Sequence, residues 1–178
     1  MERKLELKDI AGYLPYGLQM KLSNKVVWFP NLNERAKAKG CDATLTIDLL
    51  ADIKSGTYKG MADFIPVLRP LSDRYRPITH NGKEIVPIVE LAKIAYPYIN
   101  CWIYDGYKKA TAPICYEFWY EKEFNYFCAS IPYTNGIESP RNQYRLFDYL
   151  HELKIDYRGL IDVGLAIDCN TLDINPYK

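Results

Sequence analysis

Two dipeptides constrain the fold of this chain more than any other feature. Asn81-Gly82 separates Ile78-Thr79-His80 from Lys83-Glu84-Ile85-Val86-Pro87-Ile88, and Asp105-Gly106 separates Cys101-Trp102-Ile103-Tyr104 from Tyr107-Lys108-Lys109. Asn-Gly and Asp-Gly between β-type residues favour the two-residue turn in which both central residues take positive φ, and its twist matches that of paired strands. Each dipeptide therefore predicts a local antiparallel hairpin. A third hairpin is predicted at Ser23-Asn24, between Leu18–Leu22 and Lys25–Phe29. Ile114, Tyr116, Phe118 and Tyr120 alternate with Cys115, Glu117 and Trp119, and after the charged turn Glu121-Lys122-Glu123 a strand returns over Phe124 to Ala129. That section predicts a sheet of two to four strands with aromatic residues on both faces. The alternation of Ala43, Leu45, Ile47 and Leu49 with Thr44, Thr46 and Asp48 predicts one more half-buried strand.

Helical signals are fewer. Residues 7–13 read as a short helical turn closed by Gly12 and Pro15, and residues 31–40 as an exposed loop. A central helix is predicted over Val89 to Ala95, ending before Pro97. Ser139-Pro140 has the form of an N-cap followed by proline at the first helical position, and Leu146, Phe147, Leu150 and Leu153 repeat at helical spacing. Asp156 is placed to cap a second short helix through Ile161 that stops near Gly164, with a last strand at Leu165-Ala166-Ile167. In that corner Arg158 is expected to pair with Asp148, Asp156 or Asp162. The fold class is α+β: antiparallel β-hairpins forming a small meander or a partly open barrel, a short central helix and a C-terminal helical pair. A chain of 178 residues buries enough surface for one core. The expectation is a single domain, 1–178, divisible into subdomains 1–75 and 76–178.

Composition removes several function classes. Lys and Arg total 23 against 22 Asp and Glu, so no strong field steers the chain toward nucleic acid or an anionic surface. The acid excess is local: residues 114–178 hold 10 acidic and 6 basic side chains. No apolar run approaches the length needed to span a bilayer, and Met1–Glu6 lacks an apolar signal core, so the expected location is the cytoplasm. The five cysteines are widely spaced with no C-x-x-C pair, which predicts buried free thiols. His80 and His151 have no ligand-spaced neighbours and are expected to be solvated. No phosphate loop, dinucleotide fingerprint or nucleophile elbow is present, so neither a metal nor a cofactor is expected, and binding is favoured over catalysis.

Two clusters carry candidate chemistry. Arg69, Arg74 and Arg76 lie in a Pro-flanked stretch and have the forked donors that clamp phosphate or carboxylate, although pairing of Arg69 or Arg74 with Asp73 or Asp63 to pin the loop is the plainer explanation. Trp102, Tyr104, Tyr107 and Trp119, with Tyr116 and with Lys108 and Lys109 beside them, have the aromatic-plus-cation make-up of surfaces that stack bases. The same set also suits a sheet with one face in the core. The 16 tyrosines serve either purpose.

Several segments together carry a resemblance: Leu14-Pro15-Tyr16-Gly17-Leu18, Pro66-Val67-Leu68-Arg69-Pro70-Leu71-Ser72-Asp73, Leu146-Phe147-Asp148, Asp156-Tyr157-Arg158-Gly159-Leu160-Ile161, and Gly164-Leu165-Ala166-Ile167-Asp168 followed by Asn170-Thr171-Leu172. In these the chain resembles a group of uncharacterised small proteins encoded by phages and prophages of anaerobic gut bacteria. The resemblance implies context and no catalytic residues. It implies an accessory protein that acts by non-covalent binding to a host protein or a small ligand, inhibition of host defence being one such role. A sponge for a nucleotide second messenger and a nucleic-acid-binding regulator are the alternatives. Homo-oligomerisation is compatible with each.

Overall fold

A computed structural model describes residues 3–22, 43–55, 64–97, 102–103, 110–112, 116–130 and 136–178. In chain order the helices are α1 (Leu7–Ile10), α2 (Ile47–Ser55), α3 (Pro87–Ala95) and α4 (Gln143–Glu152). The strands are β1 (Gln19–Leu22), β2 (Ala43–Thr44), β3 (Phe64–Leu68), β4 (Ile78–His80), β5 (Lys83–Ile85), β6 (Trp102–Ile103), β7 (Ala110–Ala112), β8 (Tyr116–Glu121), β9 (Tyr126–Ser130), β10 (Ile137–Glu138) and β11 (Ile167–Asp168). Short 3-10 turns cover Ala11–Tyr16, Leu71–Tyr75 and Cys169–Thr171. The fold is α+β, and no sheet closes into a barrel among the described residues. No helix of the described residues is long and apolar enough to cross a membrane. The chain forms two compact units: Met1–Pro70 with Lys154–Lys178, and Leu71–Leu153.

In the first unit the strand order is β11-β3-β1-β2. β3 runs antiparallel to β1 and parallel to β11, and β1 runs antiparallel to β2. The run Phe-Ile-Pro-Val-Leu suits a central strand because both of its faces are covered. Phe64 and Leu68 join a cluster with Ile10, Tyr13, Leu18, Met20, Leu45, Leu160 and Ala166, while Val67 packs with Cys169, Leu172 and Tyr177. The N-terminal turn continues past Gly12 as a 3-10 helix through Pro15 and closes at Gly17, whose φ is +66°.

The alternating segment from Ala43 divides. Its strand ends at Thr44, and α2 follows where a strand was expected. The reason is Thr46, whose hydroxyl accepts from the Leu49 amide at 3.1 Å while its carbonyl accepts from Leu50 at 3.1 Å. That side-chain cap starts a helix inside a seven-residue alternation that does not by itself decide between strand and helix. The predicted Ser23-Asn24 hairpin and the loop 31–40 lie outside the described residues.

The second member of the expected helical pair is a run of turns. Asp156, only 3% exposed, accepts from the Leu160 amide at 3.0 Å and the Ile161 amide at 2.7 Å. Burial pushes its carboxyl pKa up, opposed by those backbone donors. Gly159 (φ +71°) and Gly164 (φ +72°) break the helical path, so the captured amides close a corner instead of starting a helix. Arg158 is exposed and donates from Nε to the Tyr157 hydroxyl at 3.0 Å, so the corner turns on Asp156.

The second unit holds a five-stranded meander, order β10-β9-β8-β7-β6, and the separate β4–β5 hairpin. In the latter, Asn81 (φ +50°) and Gly82 (φ +73°) make the turn expected of Asn-Gly. The Asp105-Gly106 turn is outside the described residues, although β6 and β7 on either side of it pair antiparallel. On one face of the meander Phe118 stacks on Phe127 at 5.5 Å, and Tyr120 and Phe147 extend the aromatic core. α3 starts at Pro87, two residues before the expected start.

α4 begins at Gln143, after Asn142, and Ser139 is not its N-cap. The Gln143 amide explains the later start. Its Oε1 accepts from Phe127 N at 2.9 Å and its Nε2 donates to Phe127 O at 2.8 Å, so one side chain does for β9 what a neighbouring strand would do. Ser139 joins the same group, its Oγ accepting from Gln143 Nε2 at 2.9 Å.

The corner generates a prediction. Gly164→Val should cost about 1–2 kcal/mol, since nothing lies within 4 Å of an added Cβ and the cost is backbone strain alone. Gly164→Asn should cost less, because asparagine tolerates positive φ. Asp156→Ala should cost about 2–3 kcal/mol by leaving two amides unbonded. Urea denaturation measures all three. A Gly164→Val variant as stable as the parent would show that the left-handed turn is not needed.

Candidate functional site

The three arginines divide between the two units. Arg69 belongs to the first and is 4% exposed. Its amide donates to Lys154 O at 2.8 Å, its carbonyl accepts from Asp156 N at 2.9 Å, its Nη2 donates to Tyr177 O at 2.6 Å, and its Cζ lies 5.5 Å from the Tyr177 ring centre. Those contacts describe a structural arginine. Arg74 sits in the Leu71–Tyr75 turn of the second unit, with Nη1 on Leu71 O at 2.6 Å and Cζ 4.2 Å from the Tyr75 ring centre and 5.8 Å from that of Tyr120. Its Nε is buried without a hydrogen-bond partner. Arg76, one residue beyond the turn, is exposed.

Of the aromatic cluster, Tyr104, Tyr107 and Lys108 lie outside the described residues, as does Lys109. The register aligns Trp102, Thr111, Glu117, Ser130 and Ile137 in one row across the meander. On the β8–β9 hairpin, Glu117, Trp119 and Glu121 alternate with the core-facing Phe118 and Tyr120, opposite Ser130, Cys128 and Tyr126. This outer face ends at the Lys122–Asn125 turn, where Asn125 has φ +55° and accepts from the Tyr120 hydroxyl. Phe124 at the tip is 67% exposed, its ring centre 5.9 Å from that of Tyr126, and Ile137 on the edge strand is 69% exposed. Burial pushes the Cys128 thiol up, against a hydrogen bond with Tyr126 that lowers it, so Cys128 is a buried free thiol of the expected kind. Cys169 is another, while Cys41, Cys101 and Cys115 are outside the described residues.

A second feature of this unit was not anticipated. Lys93, Ile94, Pro97, Arg145, Asp148, Tyr149 and Glu152 line an open cleft of about 400 Å³ between α3 and α4. The helices are joined by Asn142, whose Nδ2 donates to Ile94 O at 2.9 Å. His80, expected to be solvated, is half-buried beside the cleft: Nε2 lies 2.8 Å from Glu152 Oε1, and its ring meets Tyr149 edge-on at 6.4 Å. Lys93 Nζ lies 2.6 Å from Glu90 Oε1. Burial, with the nearby Glu90 and Glu152 carboxylates, pushes the Tyr149 hydroxyl up to about 12, so it remains a neutral donor. The sequence signal was the polar side of α4, where 145, 148, 149 and 152 recur at helical spacing. The helix reading used only its apolar positions.

No family model, curated protein or solved structure matches the chain. The two surfaces therefore rest on their own chemistry.

Tyr149 gives a pH test. Its hydroxyl has a higher pKa folded than the ordinary 10.0, so its contribution to stability is complete below pH 10 and lost as pH rises through about 12. Above pH 10 the denaturant midpoint of the parent should therefore fall relative to that of Tyr149→Phe, which lacks that loss. A gap that stays constant to pH 11 would place the hydroxyl in solvent.

Proposed function

We propose that this protein is a small phage accessory protein that acts by non-covalent binding to a host protein, and that the exposed tip of the β8–β9 hairpin around Phe124 is its contact surface. One observation carries the reading: Phe124 at the tip is an exposed large aromatic whose ring centre lies 5.9 Å from that of Tyr126, Ile137 on the edge strand is exposed as well, and the charges of the hairpin are Glu117, Glu121 and Glu123 against Lys122 alone. Aromatic side chains ringed by charge of one sign are the make-up of a protein-binding patch. The acidic surround favours a basic segment of the partner. It disfavours a nucleotide or nucleic acid, whose phosphates would meet carboxylates. The arginines expected to hold phosphate add little, because Arg69 is bonded to Tyr177 and Arg74 lies against two tyrosine rings. The resemblance to phage and prophage proteins supplies the context of a bacterial host, with defence proteins as one class of target.

The test is affinity capture from lysate of a bacterial host, followed by measured affinity for what is recovered. Phe124→Ala should weaken binding at least tenfold, as loss of a central aromatic does. Glu121→Lys with Glu123→Lys should slow association and reduce its dependence on salt. Recovery of the same protein, with the same affinity, by both variants would overturn the surface. Recovery of nothing by the parent would overturn the partner class.

A further inference from the structure

We propose that the cleft between α3 and α4 binds a small zwitterion, a molecule carrying a carboxylate and an ammonium close together as a free α-amino acid does. The cleft shares no residue with the hairpin surface, and the inference does not rest on the partner proposed above. Its lining holds two cations, Lys93 and Arg145, and two carboxylates, Asp148 and Glu152. A phosphate there would meet both carboxylates, and a bare amine would meet both cations. A molecule with both charges meets complementary groups at each end.

Some of these groups are already positioned. His80 holds Glu152, and Glu90 holds Lys93. In contrast, the Arg145 guanidinium, the Asp148 carboxylate and the Tyr149 hydroxyl have no ion-pair or hydrogen-bond partner among the described residues, although all three line one cleft. Arg145 offers the planar fork that suits a carboxylate, and the Tyr149 hydroxyl, neutral at pH 7, adds a donor without charge. Asp148 and Glu152 offer acceptors to an ammonium. Arg145 and Asp148 stand about one turn apart on α4, roughly 4.5 Å of rise, a spacing that lets one meet the carboxylate and the other the ammonium of the same small molecule. Ile94 and Pro97 supply an apolar wall for a side chain, and the volume falls within the range of small-molecule sites.

The experiment is ligand-observed NMR and calorimetry on the whole chain with each standard free amino acid, at concentrations to about 10 mM. N-acetylated and methyl-esterified forms of any binder, and AMP, serve as controls. At least one free amino acid should bind, and removing either of its charges should weaken binding at least tenfold. Arg145→Met and Asp148→Asn should each weaken it about tenfold with the melting temperature unchanged, both side chains being exposed. Tyr149→Phe should weaken it less. The inference is overturned if no amino acid binds, if a singly charged form or AMP binds as well, or if both α4 variants bind like the parent.

Discussion

The backbone pairing of Arg69 with Ile155 is the constraint on which the first unit depends. The two residues form a parallel bridge, Arg69 N to Lys154 O at 2.8 Å and Asp156 N to Arg69 O at 2.9 Å. The chain leaves this unit after Pro70 and returns at Lys154, so the bridge joins the two ends of the inserted second unit. Parallel pairing always needs a long connection, and here a folded unit is that connection, which limits the entropy lost in closing so long a loop. Other contacts converge on the same place. The Tyr13 hydroxyl donates to Ile155 O at 2.8 Å, and Arg69 reaches the Tyr177 carbonyl. Asp156, the next residue, then gathers the amides that aim Leu160 into the core.

Local chemistry was legible in the sequence, and distant partners were not. Asn81-Gly82 specified its turn because the two residues alone set the dihedral angles. The return of β9 after β8 was legible from the alternation on either side of a charged turn, but the turn lies at 122–125 with Asn125 holding the positive φ, and β9 starts at Tyr126 where Phe124 was expected. The start of α4 was misplaced because its determinant is the Phe127 backbone, which Gln143 binds across 16 residues. The corner after α4 was read as starting a helix because Asp156 is a capping residue type; it does gather amides, but those four and five residues ahead, beyond the two or three that an N-cap reaches. The two positive-φ glycines override that signal: Gly164 takes the left-handed stop expected of it, and Gly159, read as part of the helix, is left-handed too.

The candidate site was legible only in part, for the same reason. The aromatic hairpin was visible as alternation, but its charge came from residues treated as a solvated turn, Glu121 and Glu123. The arginine cluster was visible as spacing along the chain. A unit boundary falls inside it, between Pro70 and Leu71, and the spacing gave no sign of that. The cleft was hidden because four of its seven lining residues, Arg145, Asp148, Tyr149 and Glu152, lie on the polar side of an amphipathic helix, which looks the same whether it faces water or a neighbouring helix.

The tyrosine content has a structural explanation that also isolates Tyr149. A phenol buries a large apolar ring while its hydroxyl reaches a backbone group that lacks a partner. Tyr13 does this at Ile155, and burial holds its hydroxyl well above the ordinary range. Tyr177 does it at Val67 O, 2.6 Å away, while accepting from Gln19 N at 3.2 Å. Gln19 and Val67 are the next pair in the β1–β3 register after Met20 and Pro66, so the hydroxyl bridges the ladder where the strands separate. In each case the polar tip completes a gap in the backbone network. Tyr149 has the same half-buried ring, but its hydroxyl faces a cleft between opposite charges. A hydroxyl without a partner among the described residues, beside an arginine and a carboxylate that also have none there, is what would connect this unit's packing to the proposed ligand.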